Sequence, residues 1–335
     1  MLKISEKSLE ATKNNHHVWA NYMKRWSPDN KQVFYTTKKN KKTAFDSVKN
    51  VAVERHFYRV QHLTPEHIGM IKNFSKKSPK DLHEQHMSYL SDFILMQQLE
   101  AMYRKTNVKD DTADKMLDAW RSNGIERLHS VHEKEVQIVL AGLAGHDLSV
   151  LDDSKDMCCF MQFFAQQITR TKTFRDTVLT ALLKKATTDE EKHLAKMMKE
   201  CWWFISYMFG MSMGRSIFLD RHDDNHCLLV NDTDIPFITS DQPIVNVYQA
   251  LTDEIKPPED HECDMYYPIS PSVAYMVNKS NRFPRGKVQA SIDFVEEMNI
   301  KIAKRANVHI VGSSEESLSP YKKYIGMNLS AIKTS

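Results

Sequence analysis

Around residues 220–225, Asp-Arg-His-Asp-Asp-Asn, the spacing of apolar residues changes from a helical period to a period of two. A chain that makes this change once cannot be all-helical or all-β, and its order separates the two kinds of structure. Before the change, Trp202, Trp203, Phe204, Tyr207, Met208 and Phe209 make a stretch that is apolar almost all round, the pattern of a central buried helix. After it, Cys227–Val230, Phe237–Thr239, Ile244–Val247, Met265–Pro268 and Ala274–Val277 read as short strands joined by turns. A helix over Val288–Arg305 and a closing strand over Val308–Val311 follow. The fold class expected is therefore α+β: a helical middle region packed on a largely antiparallel sheet from the C-terminal third, with a small basic β-containing N-terminal segment.

The 335 residues are taken as one domain with three sub-regions, 1–80, 81–220 and 221–335. Helices are expected over about residues 80–105, 111–122, 126–145, 156–186 and 189–219. Thr64-Pro65 marks an earlier helix start, Gly124 and Gly145 are stops, and Thr188 with Glu191 fits a capping box. Leu95, Leu99 and Met102 form an apolar stripe on the first of these, and Cys158 and Cys159 read as buried helix residues. The acidic stretch 250–263 reads as a surface loop, and the tail after Gly312 as loosely held.

Within the amino-terminal part, Trp19, Tyr22, Met23 and Trp26 recur at steps of three and four, which predicts a helix over His16–Trp26 with one aromatic face. Gln32–Thr37 has strand composition, Lys38-Lys39-Asn40-Lys41-Lys42 is a charged turn, and Val48–Val53 and Phe57–Val60 are two more short strands or turns. Residues 1–80 hold 17 Lys and Arg against 6 Asp and Glu, a surplus of 11, whereas residues 81–335 hold 29 against 37, a deficit of 8. That split points to an anionic partner, phosphate or nucleic acid, or else to a solvated basic loop docked on an acidic body. Aromatic residues beside the lysines suit stacking on bases, and equally suit the core of a small sheet.

Several function classes drop out. There is no Gly-x-Gly-x-x-Gly, Gly-x4-Gly-Lys-Ser/Thr, His-Glu-x-x-His or Gly-x-Ser-x-Gly, so dinucleotide oxidoreductases, P-loop NTPases, zincins and α/β-hydrolases are not expected. Five cysteines without a Cys-x-x-Cys pair argue against a disulfide framework or a structural zinc site. No apolar run is long enough for a membrane span and the first residues lack the apolar core of a signal peptide, so the expected location is cytoplasmic, without a membrane partner. Arg-x4-His, a pattern of some helical ribonucleases, occurs at Arg127 to His132 and at Arg221 to His226, but among 15 histidines such matches arise by chance.

In Phe237-Ile238-Thr239-Ser240-Asp241-Gln242-Pro243-Ile244-Val245, two β-type runs are broken by a Ser-Asp-x-Pro turn, where Asp accepts a backbone hydrogen bond and Pro cannot donate to a ladder. Together with His16-His17-Val18, Tyr22-Met23-Lys24, Trp26, Gln167-x-x-Arg170-Thr171, Tyr267-Pro268-Ile269-Ser270-Pro271 and Asn299, this turn resembles a mainly bacterial family catalogued as domain of unknown function 4238. The resemblance runs over nearly the whole chain, departing where Trp19 and Lys172 stand in place of family prolines or Thr-Pro. It carries no activity with it; the family's occurrence among variable accessory genes implies a link to phage defence or toxin-like function.

The polar residues themselves permit phosphodiester chemistry. His16 is a candidate general acid or base, Arg170 a phosphate clamp with Gln167 on the same helix face, and Asp241 a ligand for Mg²⁺ or an orienter of the histidine. Asn299 offers an amide to substrate, and Lys24, Arg25, Lys38 and Lys39 offer backbone affinity. The reading that uses all of them is a nuclease-like hydrolase acting on nucleic acid or nucleotide. Its rivals are a non-catalytic module that binds nucleic acid or a phage component through residues 24–59, and a scaffold in which His16 braces a helix, Gln167, Arg170 and Asp241 form a buried polar network, and Asn299 is structural.

Overall fold

The computed structural model describes residues 9–248 and 259–328. It opens with a short strand β1 (Asn14–His16), a single turn of helix α1 (Ala20–Met23) running into a 3₁₀ turn at Lys24–Trp26, a hairpin of β2 (Gln32–Thr36) and β3 (Thr43–Ser47), and β4 (Val53–Arg55). Helices α2 (Pro65–Ser75), α3 (Lys80–Lys105), α4 (Asp111–Glu135), α5 (Gln137–Ala144), α6 (Ser154–Thr169), α7 (Lys172–Lys185), α8 (Asp189–Glu200) and α9 (Trp202–Leu219) form the middle. Then come β5 (Asn225–Val230), β6 (Thr239–Ser240), β7 (Val245–Asn246), β8 (Asp264–Ser270), β9 (Val273–Asn278), β10 (Gly286–Gln289), α10 (Ile292–Arg305), β11 (Ile310–Gly312) and α11 (Glu315–Leu318). The α+β arrangement expected from the change of period is the one observed.

A five-stranded sheet in the order β10-β5-β9-β8-β7 is antiparallel except for the β10–β5 pair. Its central strands are buried on both faces, which is why β8 and β9 read as nearly continuous apolar runs and not as alternating ones. Leu228, Tyr267, Tyr275 and Val277 pack with Phe160, Phe163 and Phe164 of α6 on one side. Leu229, Tyr266, Ala274 and Met276 pack with Phe294, Val295, Met298 and Ile302 of α10 on the other. The remaining helices build a third core in which Phe93, Ile125, Trp203, Phe204 and Met208 are buried.

A second sheet, β3-β2-β11-β6, joins the amino-terminal hairpin to strands from the end of the chain. Strand β6 belongs to this sheet and β7 to the larger one, so the Ser240-Asp241-Gln242-Pro243 turn between them is the corner at which the chain passes from one sheet to the other.

Several boundaries differ from expectation for identifiable reasons. Residues 14–16 pair with β4, and the amide of His17 bonds the Ala52 carbonyl, so helix begins only after Trp19; Tyr22, Met23 and Trp26 still turn a common buried face inward. Gly124 does not stop a helix: it lies inside α4, where an added Cβ would sit 3.2 Å from the Phe93 ring, so it serves close packing against α3. The stretch 156–186 breaks at Arg170, because the Thr171 side chain caps a new helix, α7, by accepting the Phe174 amide. The stretch 189–219 breaks at Cys201, where the backbone leaves the helical region. Val288 lies in a strand, and α10 starts later under the Ser291 cap. Of the strand and the turn expected for Phe57–Val60, the turn is the one that forms. Leu95, Leu99 and Met102 are 53%, 47% and 65% exposed, so their stripe faces solvent, and Cys158 and Cys159 are half-exposed. After Gly312 the chain is held by buried Leu318 and Tyr321. Most of the acidic loop expected over 250–263 lies outside the described residues. The Thr64 and Thr188 caps form as expected, each with its capping box.

The tightest helix contact is between α6 and α9. Gly210 and Gly214 face α6 one turn apart, and a Cβ on the second would lie 2.9 Å from the Gln162 Cα. Removing two side chains lets the backbones approach and lets the flanking aromatics close over the seam. Among the described residues no helix is long and apolar enough to cross a membrane.

Candidate functional site

Arg170 ends α6 and is only 3% exposed. Burying a guanidinium is costly unless its donors are met. Here Nη1 bonds Glu133 Oε1 of α4 at 2.6 Å, Nε bonds the Tyr58 hydroxyl at 3.1 Å, and Nη2 bonds the His16 carbonyl at 3.0 Å. The residue read as a phosphate clamp therefore ties the amino-terminal strand to two helices through its own protein. Burial pushes the Glu133 carboxyl up against the opposing pull of Arg170, and pushes the Tyr58 phenol up to about 12. Gln167, one turn earlier, is buried, and neither side-chain polar atom has a protein partner.

Strand alternation sends the neighbours of His16 inward: Asn15 bonds Glu126, and buried His17, its imidazole driven down to about 3 by burial and then by Arg170, packs on Phe57. His16 points the other way and is half-buried, with Nε2 3.1 Å from the Lys49 carbonyl. A carbonyl can only accept, so Nε2 carries the proton, and backbone hydrogen bonding from Lys49 and Val48 opposes the effect of burial on the ring. Burial lowers the His16 pKa, so the ring is neutral at pH 7.

Asp241 lies at the corner between the sheets. Its carboxylate accepts the amides of Asn307, Val308 and His309 at 2.7, 2.7 and 3.0 Å, and its own amide donates to the His309 carbonyl. Burial raises its pKa, opposed by His309 and by those amides. Asn299, fully buried on α10, clamps the segment before β6: its Oδ1 accepts the Ile238 amide at 2.9 Å and its Nδ2 donates to the Pro236 carbonyl at 3.0 Å. Tyr22 and Trp26 brace the same stretch, through Thr239 and Pro268 and through the Phe237 carbonyl respectively. Backbone groups outside a ladder need such partners. Thus Arg170 and the His16 backbone meet in one network, Asp241 and Asn299 serve another, and the His16 imidazole opens away from both. Among the described residues no group of three or more His, Cys, Asp or Glu side chains is placed to hold a metal ion.

Tyr22, Trp26, Arg170, Asp241 and Asn299, which carry part of the resemblance, are among these braces, and the family profile described as "Protein of unknown function (DUF4238)" matches residues 14–316. The chain belongs to this family. No curated protein and no solved structure matches it.

The basic residues from Lys24 onward form a different surface. Lys24, Lys31, Lys38, Lys39, Lys42 and Lys49 are exposed, and among the described residues none has a carboxylate partner. Arg25 is half-buried, with its pKa lowered by burial. The β2–β3 hairpin places Lys31 and Lys49 at one end, joined by the Val48 amide on the Lys31 carbonyl, and Lys38, Lys39 and Lys42 at the other. Between them, Phe34 and Phe45 are register partners on one face, with ring centroids 4.5 Å apart, and Phe45 is 42% exposed on the edge strand. The alternative that these aromatics belong to the core is met in part by Phe34 and Tyr35, which pack against the two cores, and not by Phe45. Sequence reasoning passed over Phe45 because only the pairing register shows that it shares a face with Phe34.

Proposed function

We propose that this chain binds single-stranded nucleic acid through the β2–β3 hairpin. The observation that carries the reading is the exposed Phe45, stacked on Phe34 at a sheet edge and flanked at both ends by lysines that have no carboxylate partner among the described residues. Five residues of strand separate the two lysine groups, about 17 Å at 3.4 Å per residue. That length accommodates several nucleotides of an extended strand, with phosphates on the lysines and a base on the open ring. Stacking of one base on an aromatic contributes about 1–3 kcal/mol, so Phe45→Ala should lower affinity for single strands about tenfold and leave duplex binding nearly unchanged. Fluorescence anisotropy with labelled RNA, single-stranded DNA and duplex DNA checks this. Equal binding of all three by wild type and Phe45→Ala would overturn it.

A second reading, a nuclease-like phosphodiester hydrolase, is favoured by the half-buried His16 imidazole, whose pKa burial lowers so that the neutral ring can act as a base. In that reading His16 takes a proton from the attacking water as the P–O bond to the leaving oxygen breaks and then returns it to that oxygen, Arg170 positions the strand that carries His16, and Asp241 braces the corner between the sheets. Positioned proton transfer contributes about 10²–10⁴-fold. Cleavage of the same labelled strands with Mg²⁺, Mn²⁺ or EDTA, lost about 100-fold or more in folded His16→Gln, would favour the hydrolase; retention without cleavage would leave the binding module.

A further inference from the structure

At the amino-terminal end of α6, a cleft of about 290 Å³ opens between that helix, the 3₁₀ turn Asp220–His222 and the β5 and β10 edge of the large sheet. It lies at the opposite end of α6 from Arg170, about 24 Å away at 1.5 Å per residue. One side is apolar, with Leu148, Leu151 and Met157; the other carries Arg221, His222, His226 and Arg285, and Asp152 and Ser154 stand at the helix end.

The cationic side is a built arrangement. Arg285 Nη2 donates to the carbonyls of Arg221, His222 and Asp224 at 2.8, 3.0 and 2.6 Å, which fixes the 3₁₀ turn and leaves Nε and Nη1 without a hydrogen-bond partner among the described residues. Arg221 lies over the Phe218 ring, 4.1 Å from its centroid, and spends only Nη1, on the Phe218 carbonyl. Of the nearby acids, Asp220 and Asp224 share the single cation of Lys279, and neither pairs with Arg221 or Arg285. Among the described residues neither guanidinium has a carboxylate partner. His226, 5% exposed, is held at Nδ1 by the Tyr275 hydroxyl, and its Nε2, on the other edge of the ring, is enclosed without a protein partner. A buried polar atom left so is unfavourable, and a ligand bonded to it would offset that cost.

We infer that this cleft binds a small phosphomonoester carrying an aromatic or aliphatic body, of the size and kind of a nucleoside monophosphate. The phosphate lies between Arg221 and Arg285, whose planar donors suit its oxygens, within reach of His222 and His226. The apolar body rests on Leu148, Leu151 and Met157, and Asp152 at the rim meets hydroxyl or amino donors. The volume matches the lower end of ligand pockets, roughly 300 Å³, and so excludes a polymer threading through it. This site stands apart from the hairpin, and its test does not depend on nucleic-acid binding there.

The test is calorimetric titration of the full chain with adenosine 5′-monophosphate, inorganic phosphate and adenosine. The nucleotide is expected to bind saturably and at least tenfold more tightly than phosphate, with adenosine giving no signal. Arg221→Gln should weaken the nucleotide at least tenfold; if that variant fails to fold, His222→Gln, altered at an exposed side chain, reads the loss. Leu151→Asp should weaken the nucleotide and spare phosphate, and Lys38→Ala/Lys39→Ala should change neither. No saturable binding of the nucleotide, equal affinity for nucleotide and phosphate, or unchanged affinity in the folded arginine or histidine variant would overturn the inference.

Discussion

Asp241 shows how one side chain can be legible in sequence and still be misread in role. Its place in a Ser-Asp-x-Pro turn is visible, because the turn follows from local chemistry. Its partners are not, because Asn307, Val308 and His309 arrive from more than sixty positions away. The carboxylate closes a bend in the chain just before β11, which makes it a brace for the junction of the two sheets. An amide in its place presents one acceptor and turns an N–H₂ toward backbone donors. Asp241→Asn should therefore cost about 1–3 kcal/mol, read as a lower urea midpoint. An unchanged midpoint would contradict the bracing role. Arg170 was likewise singled out by its charge and spacing, but its donors are met by Glu133, Tyr58 and the His16 carbonyl, contacts that only the tertiary arrangement of α4 and α6 creates.

At the scale of elements, the change of period near residue 220 carried the fold class, and the main departures lie where a side chain interrupts a helix that composition would let continue. Thr171 caps α7 at a point where composition would let one helix run on. Gly124 invites a stop, and Phe93 explains why it stands inside α4 instead. The same logic gives a paired prediction. Gly214→Ala gains helix propensity but drives a methyl into the α6 backbone at Gln162, and should lose about 1–2 kcal/mol net. Gly69→Ala, with nothing within 4 Å, should gain about 0.5–1 kcal/mol. Thermal unfolding of the two variants checks the pair; a stabilised Gly214→Ala would show that α6 and α9 are not in contact there. The hairpin was legible as a strand and a charged turn, whereas its place beside β11 was not, since β2 and β11 are separated by almost the entire chain.

For the whole molecule, buried histidines set the response to acid. Burial holds His17 at about 3 and His86 and His226 at about 4, all below their ordinary value. The unfolded chain binds more protons at these rings, so stability is fully present above about pH 6.5 and falls as pH drops toward the folded values. Each ring contributes up to roughly 1.4 kcal/mol per pH unit. Raised Glu126, Glu133, Asp224 and Asp241 act in the opposite sense, losing stability as pH rises from about 4 through their raised folded values, so the profile is the net of the two sets. Urea midpoints should fall between pH 7.5 and 5.5; a flat profile would contradict the burial of these rings. Charge acts at the same scale through the basic hairpin, and its decisive measurement is the dependence of single-stranded RNA affinity on salt, for wild type and for Lys38→Ala/Lys39→Ala. If both lysines contact phosphates, the slope of log Kobs against log[salt] becomes shallower by about 1.4, two contacts at about 0.7 each. An identical slope in the two proteins would contradict the hairpin as the nucleic-acid surface.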